Sequence, residues 1–103
     1  MKLPDKVKIS GIIYNIELIA DVEDDMYCAE FIGRVLYKEN KIKILKSYPV
    51  EKQFRVLLHE IIHILDEDLK IDIEESNICR LEAGLYQFLS DNNLLKDWLW
   101  LKH

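Results

Sequence analysis

Hydrophobic and polar positions alternate through the first part of the chain and then switch to a helical period. Val7 and Ile9 alternate with Lys6 and Lys8, and Ser10-Gly11 offers a two-residue turn. Ile12, Tyr14, Ile16 and Leu18 then alternate with Ile13, Asn15 and Glu17. Two alternating runs around a Ser-Gly pair predict a β-hairpin. Residues 21–25 are acidic and turn-like, strand character returns over 30–37, and Lys38-Glu39-Asn40 reads as another turn. Residues 41–46 form the next strand, with Ile42 and Ile44 on one face, before Ser47-Tyr48-Pro49 ends the β half. The expectation is a short antiparallel sheet of three or four strands.

From Val50 the apolar residues Phe54, Leu57, Leu58, Ile61, Ile62 and Leu65 follow the i, i+3, i+4, i+7, i+8, i+11 series of a core-facing helix. Asp66-Glu67-Asp68 closes it. Residues 73–92 carry a second helical pattern, with Asp72 as N-cap and Glu74 and Glu75 in a first turn that favours negative charge. The tail, 94–103, reads as a third, short helix containing Trp98 and Trp100. Strands followed by two or three helices, with no repeat and no linker, predict one α+β domain over residues 1–103.

Composition narrows the function classes. With 14 Lys+Arg against 19 Asp+Glu the formal charge is −5, and no basic stripe runs along the chain, which argues against a phosphate-gripping nucleic-acid binder. The sequence lacks an apolar run long enough to span a membrane and a signal-peptide core at its start. Cys28 and Cys79 are too few and too far apart for a disulfide framework. A cytoplasmic protein is expected.

The chemistry concentrates in His59-Glu60-Ile61-Ile62-His63, an HExxH string on the first helix. Four residues make a little over one turn, so the imidazoles sit about 40° apart and about 6 Å apart along the axis, within reach of one zinc ion. Glu60 lies about 100° round from His59, outside comfortable ligation but able to act as general base on a metal-bound water. The histidine face is bordered by Val56 and Ile64, which predicts a helix covered on both sides.

A hydrolytic zinc ion takes a third protein ligand. Counting back from a short turn between antiparallel helices puts Cys79 opposite the histidine pair, with Glu75 and Glu82 one turn to either side. All three share a helical row with Tyr86. Each has a plainer role: Cys79 as a small hydrophobe, Glu75 as a helix N-terminal charge, Glu82 as a partner of Arg80 or a lysine. Tyr86 reads as a core or hydrogen-bonded tyrosine rather than an oxyanion donor.

The string LLHEIIHILDEDLKIDIEESNICRLEAGLYQFLSDN resembles small phage and prophage proteins of low-GC Gram-positive bacteria, distantly similar to ImmA/IrrE-type zinc metallopeptidases. The matching features are the HEIIH helix, Ile73-Glu74-Glu75, Arg80-Leu81, Gly84-Leu85-Tyr86-Gln87 and Asp91-Asn92. Ile32-Gly33, Val35, Tyr37 and Ile42-Lys43-Ile44 also fit. In such relatives the second helix carries a Glu ligand followed three residues later by Ala; this chain has Cys79 and Glu82 there. Resemblance and counting together favour His59, His63 and Cys79 as metal ligands, with Glu82 or Glu75 as alternatives. A cysteine beside HExxH has a parallel in peptide deformylases, whose other motifs are absent.

The expected function is a zinc-dependent metallopeptidase with a zincin-like HExxH helix. The resemblance implies a protein or peptide substrate such as a phage repressor. The alternative is a catalytically inactive zincin-like module that binds a protein, for which the −5 charge, the acidic cluster from Asp66 to Glu75 and the Trp98/Trp100 tail speak. A weaker one is a metal that only staples two helices.

Overall fold

The structure, a computed structural model, describes residues 3–20 and 33–95. Its elements are β1 (Lys6–Ile9), β2 (Ile12–Ile19), β3 (Gly33–Leu36), β4 (Lys41–Leu45), α1 (Val50–Leu69) and α2 (Glu75–Asp91). The acidic turn at 21–25, the start of the expected third strand at 30–32, Cys28 and the tail from 96 onward, with Trp98 and Trp100, lie outside the described residues. The α+β class holds: a four-stranded sheet from the N-terminal half carries two C-terminal helices. Among the described residues no helix is long and apolar enough to cross a membrane.

The β1–β2 hairpin forms as the alternation predicts. Ser10 and Gly11 both adopt positive φ (52° and 81°), the signature of the two-residue turn whose twist matches the strands, and Ile9 faces Ile12 across it. The Lys38-Glu39-Asn40 turn is a short 3-10 turn closed by Asn40 at φ 52°, and it returns the chain antiparallel from β3 to β4.

Not every neighbour is antiparallel. The sheet order is β1-β2-β4-β3, and β2 runs parallel to β4, with Ile16 opposite Ile42 and Leu18 opposite Ile44. The hairpin of β3 and β4 is inserted with β4 inward. That choice puts the fully buried Ile42 and Ile44 under the helices and leaves β3 with β4 as its one strand partner among the described residues.

α1 lies across the β3–β4 side of the sheet and supplies the centre of the core with Phe54, Leu57 and Ile64, all fully buried. Its buried face is wider than the expected arc. Val56 and Ile64, beside the histidines, are buried against the domain, whereas Leu65 at the far edge is exposed.

α1 ends at Lys70, in left-handed conformation at φ 54°, whose N–H donates to the Asp66 carbonyl. α2 begins later than expected. Asp72 is not its N-cap; it sits at φ 70° in the connection, where the Ile73 N–H donates to the Asp66 carboxylate at 3.0 Å, and Glu74 occupies the cap position. The connection is thus tied to the end of α1 before α2 can start.

Candidate metal centre

α1 positions His59, Glu60 and His63 by helical spacing alone, as the motif predicts, and buries the first two. His59 is 3% exposed and Glu60 7%. α2 delivers Glu75 from its first turn. Nε2 of His59 lies 2.7 Å from Oε1 of Glu75, and Nε2 of His63 lies 2.9 Å from its Oε2. The two Nε2 atoms are 3.2 Å apart. Donors around a four-coordinate zinc at about 2.0–2.1 Å stand about 3.3 Å from one another. The two imidazole nitrogens stand at that spacing, and the Glu75 oxygens, now at hydrogen-bond length from them, would draw back by about half an ångström to share an ion.

Cys79 belongs to the same cluster. One ligand atom each from His59, Glu75 and Cys79 lie within 4.8 Å of one another, a group able to hold a metal ion. The Cys79 sulfur stands 4.0 Å from Oε1 of Glu75. Desolvation and the neighbouring carboxylates Glu75 and Glu82 push its thiol pKa up, against the pull of Arg55, so a cation would have to draw the proton off before the sulfur could ligate. The carboxylate that touches both imidazoles is Glu75, one turn earlier than the count back from the turn gives. α1 continues eight residues past Ile61, to Leu69, and residues 70–74 then run back beside it. Left-handed Lys70 and Asp72 turn the chain sharply in this connection, and the contacts of Glu75 with both histidines mark how far back along α1 it has come. The level of the histidines is reached as α2 starts.

Glu82, the third carboxylate candidate, is drawn to the other side of His59. It is 7% exposed, pairs with Arg55 Nε through Oε2 at 2.6 Å, and brings Oε1 to 3.4 Å from Nδ1 of His59. The sequence reading offered Arg80 or a lysine as its partner. Arg55 is one turn before His59 on the same helical row, which was the available signal.

Burial pushes the Glu60 carboxyl up to about 7; His59 pulls it down, and Glu75 adds to the rise. Its neighbour is Gly33 at the start of β3, where a Cβ would stand 2.5 Å from Val56 Cγ1 and 3.2 Å from Glu60 Oε2. Only a glycine lets the strand come this close. A cavity of about 580 Å³ opens along the N-terminal half of α1, bounded by Lys52, Arg55, Val56, Glu82 and Tyr86. Tyr86 is half-buried and packs against the hydrophobic core.

No protein-family model and no solved structure matches the chain. Over 93 residues it is 33% identical to phosphoribosylformylglycinamidine synthase subunit PurL of Prochlorococcus marinus (strain MIT 9301). The match covers 81% of this chain but spans only 12% of that protein's length.

Proposed function

We propose that the chain is a zinc-dependent hydrolase of the HExxH type that cleaves a peptide bond. The observation that carries this reading is the convergence of His59, His63 and Glu75 at 2.7–3.2 Å, with the buried carboxylate of Glu60 on the adjoining face of the same helix. His59, His63 and Glu75 would hold the ion, with Cys79 as the alternative third donor. Bound there, zinc supplies the Lewis acidity that polarises a peptide carbonyl and makes water a nucleophile at neutral pH.

Glu60 does the proton work. Its carboxylate accepts the proton that water loses as the oxygen adds to the carbonyl carbon. It returns that proton to the amine nitrogen as the C–N bond breaks. Walls formed by Val56 and Gly33 keep bulk water from this carboxylate. β3 borders Glu60 and pairs with one strand among the described residues, an arrangement compatible with an extended peptide laid along the sheet edge. The resemblance to ImmA/IrrE-type peptidases points to the same substrate class, with a phage repressor as the implied example.

The test is elemental analysis of the purified protein together with cleavage of a quenched-fluorescent peptide library. One zinc per chain is expected, lost in His59→Ala. Glu60→Gln should keep the zinc and lose cleavage. Wild-type protein that carries no zinc and takes none up overturns the reading.

A second reading, a zincin-like module that binds a protein without catalysis, draws on Leu81, Leu85 and Phe88. These are exposed along one side of α2, a row that a partner helix or sheet can cover. Zinc binding without cleavage by wild-type protein favours this reading over the first.

A further inference from the structure

The buried charge that the proposed reaction leaves unused is Glu82. We infer that Glu82, anchored by Arg55, is the positioning residue that keeps a proton on Nδ1 of His59 and so presents the lone pair of Nε2 to a metal ion. The inference rests on the metal-site reading above. Nδ1 of His59 is fully enclosed and has no hydrogen-bond partner among the described residues. A ring nitrogen in that state is costly unless an acceptor is in reach. The acceptor is Oε1 of Glu82 at 3.4 Å, about half an ångström beyond hydrogen-bond length.

The carboxylate is held for that role. Its other oxygen takes the Arg55 Nε–H at 2.6 Å, so its orientation is fixed and one oxygen is left facing the imidazole. Arg55 and His59 are one turn apart on α1, so the guanidinium that anchors Glu82 and the ring that needs it share one rigid element. An imidazole can ligate through Nε2 only when its remaining proton resides on Nδ1. Outer carboxylates of this type set both the tautomer and the ring rotation of metal-binding histidines. A plain α1–α2 ion pair would account for the Arg55 contact. It would not account for the second carboxylate oxygen lying 3.4 Å from an otherwise orphaned buried nitrogen.

Two measurements test this. The first is zinc affinity by competition titration for wild-type protein, Glu82→Ala, Glu82→Gln and Arg55→Met, with circular dichroism confirming the fold. Glu82→Ala should weaken zinc binding roughly 10- to 100-fold. Glu82→Gln, whose amide oxygen still accepts from Nδ1–H, should lose less. Arg55→Met should fall between wild type and Glu82→Ala. The second is ¹H–¹⁵N correlation of the histidine side chains in zinc-loaded protein, because without metal the Glu75 carboxylate at 2.7 Å competes for a proton on Nε2. There the His59 Nδ1 proton should exchange slowly in wild type and faster in Glu82→Ala. Unchanged zinc affinity in a folded Glu82→Ala overturns the inference, as does an Nδ1 proton that exchanges equally fast in zinc-loaded wild type and zinc-loaded Glu82→Ala. Should Glu82→Ala fail to fold, Glu82→Gln and Arg55→Met carry the comparison. Wild-type protein that binds no zinc would sink the metallohydrolase reading and this inference with it, whereas wild type that binds zinc with Glu82→Ala unchanged would sink the inference alone.

Discussion

Glu60 is a carboxylic acid held out of water between a histidine and a strand, and in metal-free protein that position makes stability depend on pH. The folded state keeps its proton up to about 7, whereas the unfolded chain releases it near the ordinary 4.5. Between those values the native state binds the extra proton, so stability is highest below the lower value and falls as pH rises through the upper one. The loss is on the order of 3 kcal/mol. Urea titrations of metal-free protein at pH 5 and pH 7.5 should show this fall, and Glu60→Gln should flatten it. A wild-type slope as flat as the variant's would mean that Glu60 is ionised throughout. The third donor is open to an equally direct comparison. If Glu75 ligates, Glu75→Gln should weaken zinc affinity at least roughly 100-fold, with Cys79→Ser changing it far less. The opposite order in a zinc competition assay would assign that position to the thiol. His59, Glu60 and His63 were readable in the sequence because a four-residue spacing within one helix fixes their relation. The carboxylate at Glu75 was not, because it depends on how far α1 runs on and on a connection turned by left-handed Lys70 and Asp72 that no periodicity encodes.

The elements were readable to different depths for the same kind of reason. Alternation over residues 12–19 places Tyr14 and the half-buried Ile16 toward the core, but Ile12 and Leu18 of the same set are exposed and Ile19 is buried instead, whereas the Ser10-Gly11 pair states where the hairpin turns. Neither states the order of strands, so the parallel pairing of β2 with β4 emerges only when the inward placement of Ile42 and Ile44 is known. α1 was legible along nearly its whole length, and the burial of Val56 and Ile64 agrees with a helix covered on both sides. The exposure of Leu65, which the apolar series counted as core-facing, was not legible. Strand and helix approach closely where Gly33 meets Val56 and Glu60. Gly33→Ala puts a methyl 2.5 Å from Val56 Cγ1, so β3 or α1 must shift. The expected cost is about 1–3 kcal/mol, read as a lowered urea midpoint at unchanged m-value. Because the shift moves Glu60, peptide cleavage should drop further than stability explains. Gly33→Ala with wild-type stability would mean that strand and helix are not packed this closely.

At the scale of the whole molecule, the two helices are held by different means. α1 buries nine of its residues in the domain, whereas among the described side chains of α2 only Ile78 and Glu82 are buried, and Leu81, Leu85 and Phe88 face solvent. With Ile78 buried and only Tyr86 and Leu89 partly buried against the core beside it, α2 leans more than α1 does on polar links between the helices: the Arg55–Glu82 pair and the contacts of Glu75 with His59 and His63. A metal held by His59 and His63 from α1 and by Glu75 from α2 would be the strongest of these links. Its contribution follows from binding linkage, about 2.7 kcal/mol when free zinc is 100-fold above its dissociation constant. For a domain of this size that corresponds to a rise in Tm of roughly 10–20 °C. The gain should be uneven in space. Native-state hydrogen exchange with and without a chelator should show α2 amides losing protection on metal removal, while those of β2, β4 and the first half of α1 change little. Uniform loss across sheet and helices would indicate that the ion supports the entire core. No loss in α2 would indicate that Ile78 and the Arg55–Glu82 pair hold the helix by themselves, and that an ion at the histidines serves chemistry alone.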